Sequence, residues 1–286
     1  MLCDVYGMAL LSHFPSADSF RSTVPEGNGG LAEMSDAVNQ RLYEALAEHH
    51  HLIFEDWDAS IRHQGEIIAK LLPQPECGPI LDAACGIGTQ SLALAALGYS
   101  VEGSDISSAV VARAERECAV RGLDCKFRVD DMRTLTAAPP SRYSVVMAMD
   151  NAVPHLESDE EIVTAFAAMR TRLLPTGKVV ISVRDYQRHL EERPSSLPPR
   201  FYSDGGRRRI VFQIWDWIDQ RRYRFHLYVT RDTSQGWITH HFEGTYRAVT
   251  TEEIADLAKR AGLREIAVLP ARDTGFYQPI IVATGG

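Results

Sequence analysis

Apolar positions in this chain keep two rhythms. Between Gly78 and Val183, short apolar runs alternate with segments whose apolar residues recur every three to four positions, the signature of buried parallel strands exchanging with amphipathic helices. Ile80-Leu81 stops at Asp82, and Ala83-Ala-Cys-Gly86-Ile-Gly88-Thr-Gln90 leads into an Ala/Leu-rich run over 91–97, which predicts a strand, a tight turn and a helix start. Further strands are predicted over 100–105, 125–129, 143–149 and 178–183, with helices over 107–121 and 160–174, the latter stopped by Pro175-Thr-Gly177.

Outside that stretch the rhythm changes. Ser35–Leu72 is helical in pattern, with Ser35-Asp36 able to cap it, and residues 1–34 read as a flexible leader containing a short apolar stretch, Met8–Leu11. From 188 to 248, Pro194, Pro198 and Pro199 predict an irregular link. Three antiparallel strands follow at Arg209–Ile218, Arg222–Thr230 and Trp237–Tyr246. Thr250–Ala261 predicts a capped helix, and Arg264–Val268 and Gln278–Thr284 two last strands. The predicted fold is α/β: a doubly wound, seven-stranded, mostly parallel Rossmann-like sheet with an N-terminal helical lid (35–72) and an inserted antiparallel β cap (188–248). The core would occupy 73–187 and be completed by 249–286.

Composition narrows the partners. The chain has 286 residues, 45% apolar and 24% charged, and a formal net charge of −8, which disfavours a nucleic-acid backbone or an anionic membrane and leaves a small molecule as the expected ligand. Five cysteines (Cys3, Cys77, Cys85, Cys118, Cys125) are widely spaced, so neither a disulfide framework nor a zinc site is predicted and a reducing cytoplasm fits. No secretory signal or bilayer-spanning segment is predicted. His49-His50-His51 do not share a helix face and read as solvated or partly packed imidazoles, and Arg207-Arg208-Arg209 reads as a solvated edge.

The candidate chemistry lies at strand ends. Glycines suit a turn that lets backbone approach a ligand, although Gly-x-Gly alone is common and Ser91 replaces the third glycine of a dinucleotide fingerprint. Asp105 ends the second strand 19 residues beyond Gly86, where a carboxylate accepts from both hydroxyls of a ribose. Asp130-Asp131-Met132 closes the third strand, either as a polar turn or as an acceptor for a purine amine with Met132 on its face. Asp150-Asn151 and His155 follow the fourth strand, and Arg184-Asp-Tyr186 the fifth. Tyr43, Trp57 and Arg62 lie in the helical segment, which would either fold over the ligand as a lid or serve as plain amphipathic core.

This pattern resembles the class I S-adenosylmethionine-dependent methyltransferases, and within them the glycine and sarcosine/dimethylglycine N-methyltransferases, over about residues 35–286. The pieces that carry it are Leu81-Asp-Ala-Ala-Cys-Gly-Ile-Gly-Thr89, Gly103-Ser-Asp105-Ile-Ser, Asp131-Met132, Asn151-Ala-Val-Pro-His155-Leu and Arg184-Asp-Tyr186. The resemblance implies that Ala84, Gly86 and Gly88 lie against S-adenosyl-L-methionine, with Asp105 on its ribose and Ile106, Asp131 and Met132 around its adenine. Tyr43, Trp57 and Arg62 would serve as lid residues, Arg62 on the cofactor's carboxylate. Met149 and Asn151 would line the reaction centre, Arg184 would bind an acceptor carboxylate, and Tyr186, Tyr202 and Tyr246 would surround the acceptor amine. His155 would either take a proton or pack as a capping histidine.

The implied reaction is in-line methyl transfer to a neutral small amine, catalysed mainly by positioning and needing no metal; a homo-oligomer is left open. Three rival readings share the residues. The cofactor's own amine could close on its γ-carbon to give azetidine-2-carboxylate and methylthioadenosine. The chain could be a non-catalytic adenine-nucleotide-binding module, which Asn151 and Arg184 at strand tips disfavour. It could be a nicotinamide oxidoreductase, which Ser91 disfavours.

Overall fold

Ile80, Leu81 and Asp82 make up β1 (Ile80–Asp82), and all three are buried because strands flank them on both sides and helices cover both faces. The computed structural model describes residues 28–286, with side chains described from Ala37 onward. Cys3, Met8–Leu11 and the expected leader as far as Gly27 lie outside the described residues. The backbone is already helical from Asn28, so α1 (Asn28–Leu46) starts ahead of the Ser35-Asp36 cap. The segment read as one helical stretch then breaks. A 3-10 turn at His50–Ile53 intervenes before α2 (Trp57–Ala69), whose N-terminus is capped by the Asp56 carboxylate accepting from the Ala59 N–H at 2.9 Å.

After β1 come α3 (Thr89–Ala96), β2 (Val101–Asp105), α4 (Ser108–Val120), β3 (Cys125–Val129), β4 (Tyr143–Ala148), α5 (Asp159–Arg172) and β5 (Leu173–Ser182). Then follow α6 (Gln187–Glu192), β6 (Ser196–Asp204), β7 (Arg207–Trp217), β8 (Arg222–Thr233), β9 (Gly236–Arg247), α7 (Thr251–Arg260), β10 (Arg264–Leu269), α8 (Ala271–Thr274) and β11 (Ile280–Thr284). The main sheet has seven strands in the order β10-β11-β5-β4-β1-β2-β3, parallel except for β11, which runs antiparallel to both its neighbours. The chain winds outward from β1 through β2 to β3, then returns and winds the other way from β4. The crevice where ligands bind in such sheets therefore opens at the carboxyl ends of β1 and β4.

Two predicted boundaries move, and proline explains both. Pro175-Thr-Gly177 does not separate helix from strand but lies inside β5, as a bulge: Tyr143 pairs with Leu173, and pairing resumes at Val145 with Lys178. The link containing Pro198 and Pro199 is itself a strand, β6. It is the edge strand of a second, four-stranded antiparallel sheet, β6-β7-β8-β9, and its register shifts between Leu197 and Arg200 to absorb the two residues that lack an N–H. The cap thus has four strands where the sequence predicts three.

The inner face of that sheet carries Val211, Trp215, Tyr223, Phe225, Leu227, Phe242 and Tyr246, which pack on Leu42, Leu46 and Leu52 from the N-terminal segment. Arg209 corrects the reading of its arginine run as a solvated edge. It is 3% exposed and forms a bidentate pair with Asp204 at 2.7 and 2.8 Å, while donating to the carbonyls of Leu52, Phe54 and Glu55. One guanidinium therefore ties the segment between α1 and α2 to the cap. Arg209→Ala is expected to lower unfolding free energy by about 3 kcal/mol, read from denaturant midpoints. Backbone amides of 52–56 should lose hydrogen-exchange protection first, and unchanged protection there would contradict the clamp.

Candidate functional site

The carboxyl ends of the central strands, the segment from α1 to α2 and the inner face of the cap enclose a cavity of about 810 Å³, within the range of small-molecule and cofactor sites. Its floor is the turn after β1. Gly86 has φ +52° and Gly88 φ +90°, conformations that a side chain disfavours. Gly86 faces the cavity, but Gly88 does not: it begins α3, and a Cβ there would sit 3.3 Å from Ala114 and Leu92. Gly88 serves the turn and the packing on α4.

Asp105 is fixed by the backbone of the same turn. Its two carboxylate oxygens accept from the N–H groups of Gly86 and Ser107, each at 3.0 Å, leaving lone pairs toward the cavity. Burial raises its pKa despite these bonds. Asp82 is wholly buried behind the turn, where its Oδ2 accepts from the Ser91 hydroxyl at 2.7 Å. Burial, with the nearby Asp150 and Asp105 carboxylates, pushes Asp82 up to about 7. Asp150, at φ +56°, accepts from Gln90 at 2.8 Å and from the Tyr277 hydroxyl, and burial raises its pKa too. The second proton of the Gln90 amide goes to Gln64 on α2 at 2.6 Å.

Asn151 also adopts a left-handed backbone, φ +68°, which turns its amide back beneath the next strand's end. The amide N donates to the Tyr186 hydroxyl at 2.9 Å, and its oxygen accepts from the Arg184 backbone N–H at 2.9 Å. Arg184 reaches the cavity with its guanidinium 4.9 Å from the Trp215 ring and 3.1 Å from the Tyr223 hydroxyl. Among the described residues it makes no salt bridge, and the surrounding tyrosines raise its pKa against the lowering effect of burial. Tyr186 is fully buried and outside the cavity lining, a support for Asn151 and Tyr223 rather than a wall around an acceptor, which corrects its predicted place.

His155 stacks on Tyr246 at 4.2 Å and is held at both nitrogens. Its Nδ1 lies 3.0 Å from the Thr245 carbonyl, which only accepts, so the proton sits on Nδ1 and Nε2 accepts from the Tyr43 hydroxyl at 2.8 Å. Burial lowers its pKa to about 4. At the cavity's other end, Asp130 caps the loop after β3 by accepting from Thr136 and Ala137, whereas Asp131 lines the cavity beside Met132. The Asp131 carboxylate is engaged by the Arg133 backbone N–H and guanidinium. The exocyclic-amine contact expected of it is therefore already occupied from within the chain.

Of the other predicted residues, Tyr43, Ala84, Ile106, Met149, Tyr202 and Tyr246 line the cavity. Trp57 does not. It is buried and donates to the Thr89 hydroxyl at 2.9 Å, fastening α2 to α3, the core-packing alternative of the two expected for this segment. Arg62 is exposed; the face of α2 that meets the cavity carries Ser60, His63, Gln64 and Ile67. Arg62 lies beside that face and outside the cavity lining. His50 is half-buried and packs over Gly86, with its pKa lowered to about 4 by burial. The sequence reading also missed Gln64, Gln90 and Tyr277, which only the long-range packing of α2, α3 and the segment before β11 brings together.

A methyltransferase-domain family profile matches residues 80–177. A glycine/sarcosine N-methyltransferase of Halorhodospira halochloris is 25% identical over 170 residues, 59% of this chain and 63% of that protein. The chain spans between about half and two thirds of the curated relatives of that name that it matches. Among solved structures, DesVI of Streptomyces venezuelae superposes with a TM-score of 0.66 at 19% identity, covering 87% of this chain and 97% of that one. CalS10, an amino pentose methyltransferase from Micromonospora echinaspora solved with S-adenosylmethionine bound, superposes with a TM-score of 0.65 at 20% identity, covering 93% and 100%. The methyltransferase-domain match covers the strands and turn that floor the cavity, and the chain shares its fold nearly end to end with these two solved structures.

Proposed function

We propose that the chain is an S-adenosylmethionine-dependent N-methyltransferase whose acceptor is a small amine bearing a carboxylate. The observation that carries the acceptor class is Arg184: a partly buried guanidinium that faces the cavity without an acid partner among the described residues. An unpaired buried charge is costly and is ordinarily compensated; a ligand carboxylate would compensate this one. The relatives that act on glycine and on an amino sugar support small-molecule N-methylation as the class. They lend no support to cyclisation or to a binding-only module.

The residues present fit the cofactor. Asp105 retains free lone pairs for a ribose diol, and Ile106 and Met132 supply apolar contact for a base. Asp82, Asp105 and Asp150 make their side of the site suited to a cation, since no basic side chain among the described residues pairs with them. When bound, S-adenosylmethionine supplies a methyl group activated on a sulfonium. The chain supplies position, dryness and charge. Arg184 would anchor the acceptor, Tyr246 and Tyr202 would wall its amine with electron-rich rings, and the cap would exclude water. His155 is not the base: its free nitrogen holds the Tyr43 proton, and burial disfavours its cationic form. A fraction of free amine at neutral pH suffices for the displacement.

Mass spectrometry of products from S-adenosylmethionine and a panel of amino acids and amino sugars tests the reading: S-adenosylhomocysteine should accumulate only with a carboxylate-bearing amine. Arg184→Ala is expected to raise the acceptor KM about 100-fold and leave cofactor affinity within about threefold; equal effects on both would refute the assignment. Asp105→Ala should weaken cofactor binding roughly tenfold to 100-fold, the worth of hydrogen bonds to a charged group, as read by calorimetry. Because the Asp82, Asp105 and Asp150 pKa values are raised, a cation arriving among them should lower them and release protons. Titrations near pH 6.5 in buffers of different ionisation enthalpy should detect a fraction of a proton released on cofactor binding. The Asp82 part should vanish above about pH 8, where a group near 7 is already ionised.

A further inference from the structure

The outer face of the cap sheet carries a second group of chemistry-bearing side chains, independent of the cavity. Along β8 and β9, Tyr223, Phe225, Leu227 and Phe242 point inward, so the alternate residues His226, Tyr228, His241 and Glu243 point outward. The register sets His226 directly opposite Glu243, and Tyr228 opposite His241. One donor atom from each of His226, His241 and Glu243 lies within 4.8 Å of the others.

We propose that His226, His241 and Glu243 bind one divalent, imidazole-preferring transition-metal ion, with zinc as the probe, leaving a further coordination position for water. Two details of the cluster support this. The first is the orientation of His226. Its Nε2 lies 3.0 Å from the Asp216 carboxylate on β7, which accepts, so in the neutral ring the proton is on Nε2 and Nδ1 is a bare lone pair. That lone pair points into the cluster, 2.9 Å from His241 Nε2 and 3.8 Å from Glu243 Oε2. A carboxylate holding the far nitrogen of an imidazole is the arrangement that fixes metal-binding histidines.

The second is geometric fit. Two nitrogens bound to one zinc ion at 2.0–2.1 Å with a tetrahedral angle stand about 3.3 Å apart. The two imidazoles need open by only a few tenths of an ångström, with the intervening proton moved to His241 Nδ1. His241 is steadied for this by stacking on Tyr228 at 4.7 Å, which in turn stacks on Phe212 at 4.8 Å. The bound ion would cross-link β8 to β9.

The test uses full-length protein carrying no histidine tag and stripped with a chelator. Zinc titrated against a chromophoric competitor should fill one site per chain with micromolar or tighter affinity, and cobalt should give the visible spectrum of a nitrogen/oxygen site without thiolate charge-transfer bands. His241→Ala, at an exposed position, should cost at least about tenfold in affinity, and Asp216→Asn about 10- to 100-fold through its hold on His226. Circular dichroism confirms that each variant is folded. Zinc should also raise the thermal midpoint of the unsubstituted protein and not that of His241→Ala. Absence of binding at 100 μM zinc, an unchanged affinity in folded His226→Ala/His241→Ala, or thiolate bands in the cobalt spectrum would each overturn the site.

Discussion

Asp82, Asp105 and Asp150 stand at the ends of β1 and β2 and just beyond β4, the first wholly buried and the other two partly so, and unpaired with any base among the described residues. Carboxylates placed this way repel one another and lose hydration, so each needs compensation from dipoles. The fold provides it locally: Gly86 and Ser107 N–H groups for Asp105, the Ser91 hydroxyl for Asp82, and the Gln90 amide and Tyr277 hydroxyl for Asp150. Gln90 and Ser91 lie in the first turn of α3. The left-handed glycines that start this helix therefore also determine whether the acids can be tolerated. What dipoles leave uncompensated is what makes the cavity receptive to a cation.

Charge of this kind discriminates only while water is kept away, and this links the sheet to its coverings. The Thr245 backbone is held from both sides, its N–H by the Asn39 side chain of α1 at 2.8 Å and its carbonyl by His155 at 3.0 Å. One residue of the cap thus joins the N-terminal helix to the loop after β4. Tyr43 closes the same circuit through His155, and Arg209 closes a second one through the carbonyls of 52–55. The cap is bound to the segments that complete the cavity by hydrogen bonds from buried groups, where low dielectric strengthens each bond and raises the cost of breaking it.

The central sheet was legible because its strands are buried on both faces and its acids stand at strand ends; period and position both signal them. What stayed illegible has specific causes. Arg62 seemed to be a lid residue because it lies in the right segment, but helix phase decides which side faces inward. Trp57 and Tyr186 are aromatic residues near the site whose polar ends are turned to Thr89, Asn151 and Tyr223. Proline hid β6, although an edge strand is where proline is tolerated. Arg209 is a different case. The alternation that assigns Val211 and Trp215 to the inner face also assigns Arg209 there, so the signal was present and the charge of the run obscured it. Gln64, Gln90 and Tyr277 left no local signal, because their proximity depends on the packing of three separate elements.

Arg184 shows how the fold turns an ordinary strand end into a recognition element. Its backbone N–H is held by Asn151, whose left-handed turn begins where β4 ends, and its guanidinium is held by Tyr223 and lies over Trp215. Both ends of the side chain are therefore fixed before any ligand arrives, so little rotamer freedom remains to be lost on binding. None of these partners carries a formal negative charge, and an aromatic face or a phenol compensates a guanidinium only in part. A purely structural arginine in the same place would gain more from an acid, as Arg209 does with Asp204. The contrast between two arginines in one chain, a buried one paired with an acid and a partly buried one restrained but without an acid among the described residues, is the physical reason to look for a carboxylate in the acceptor.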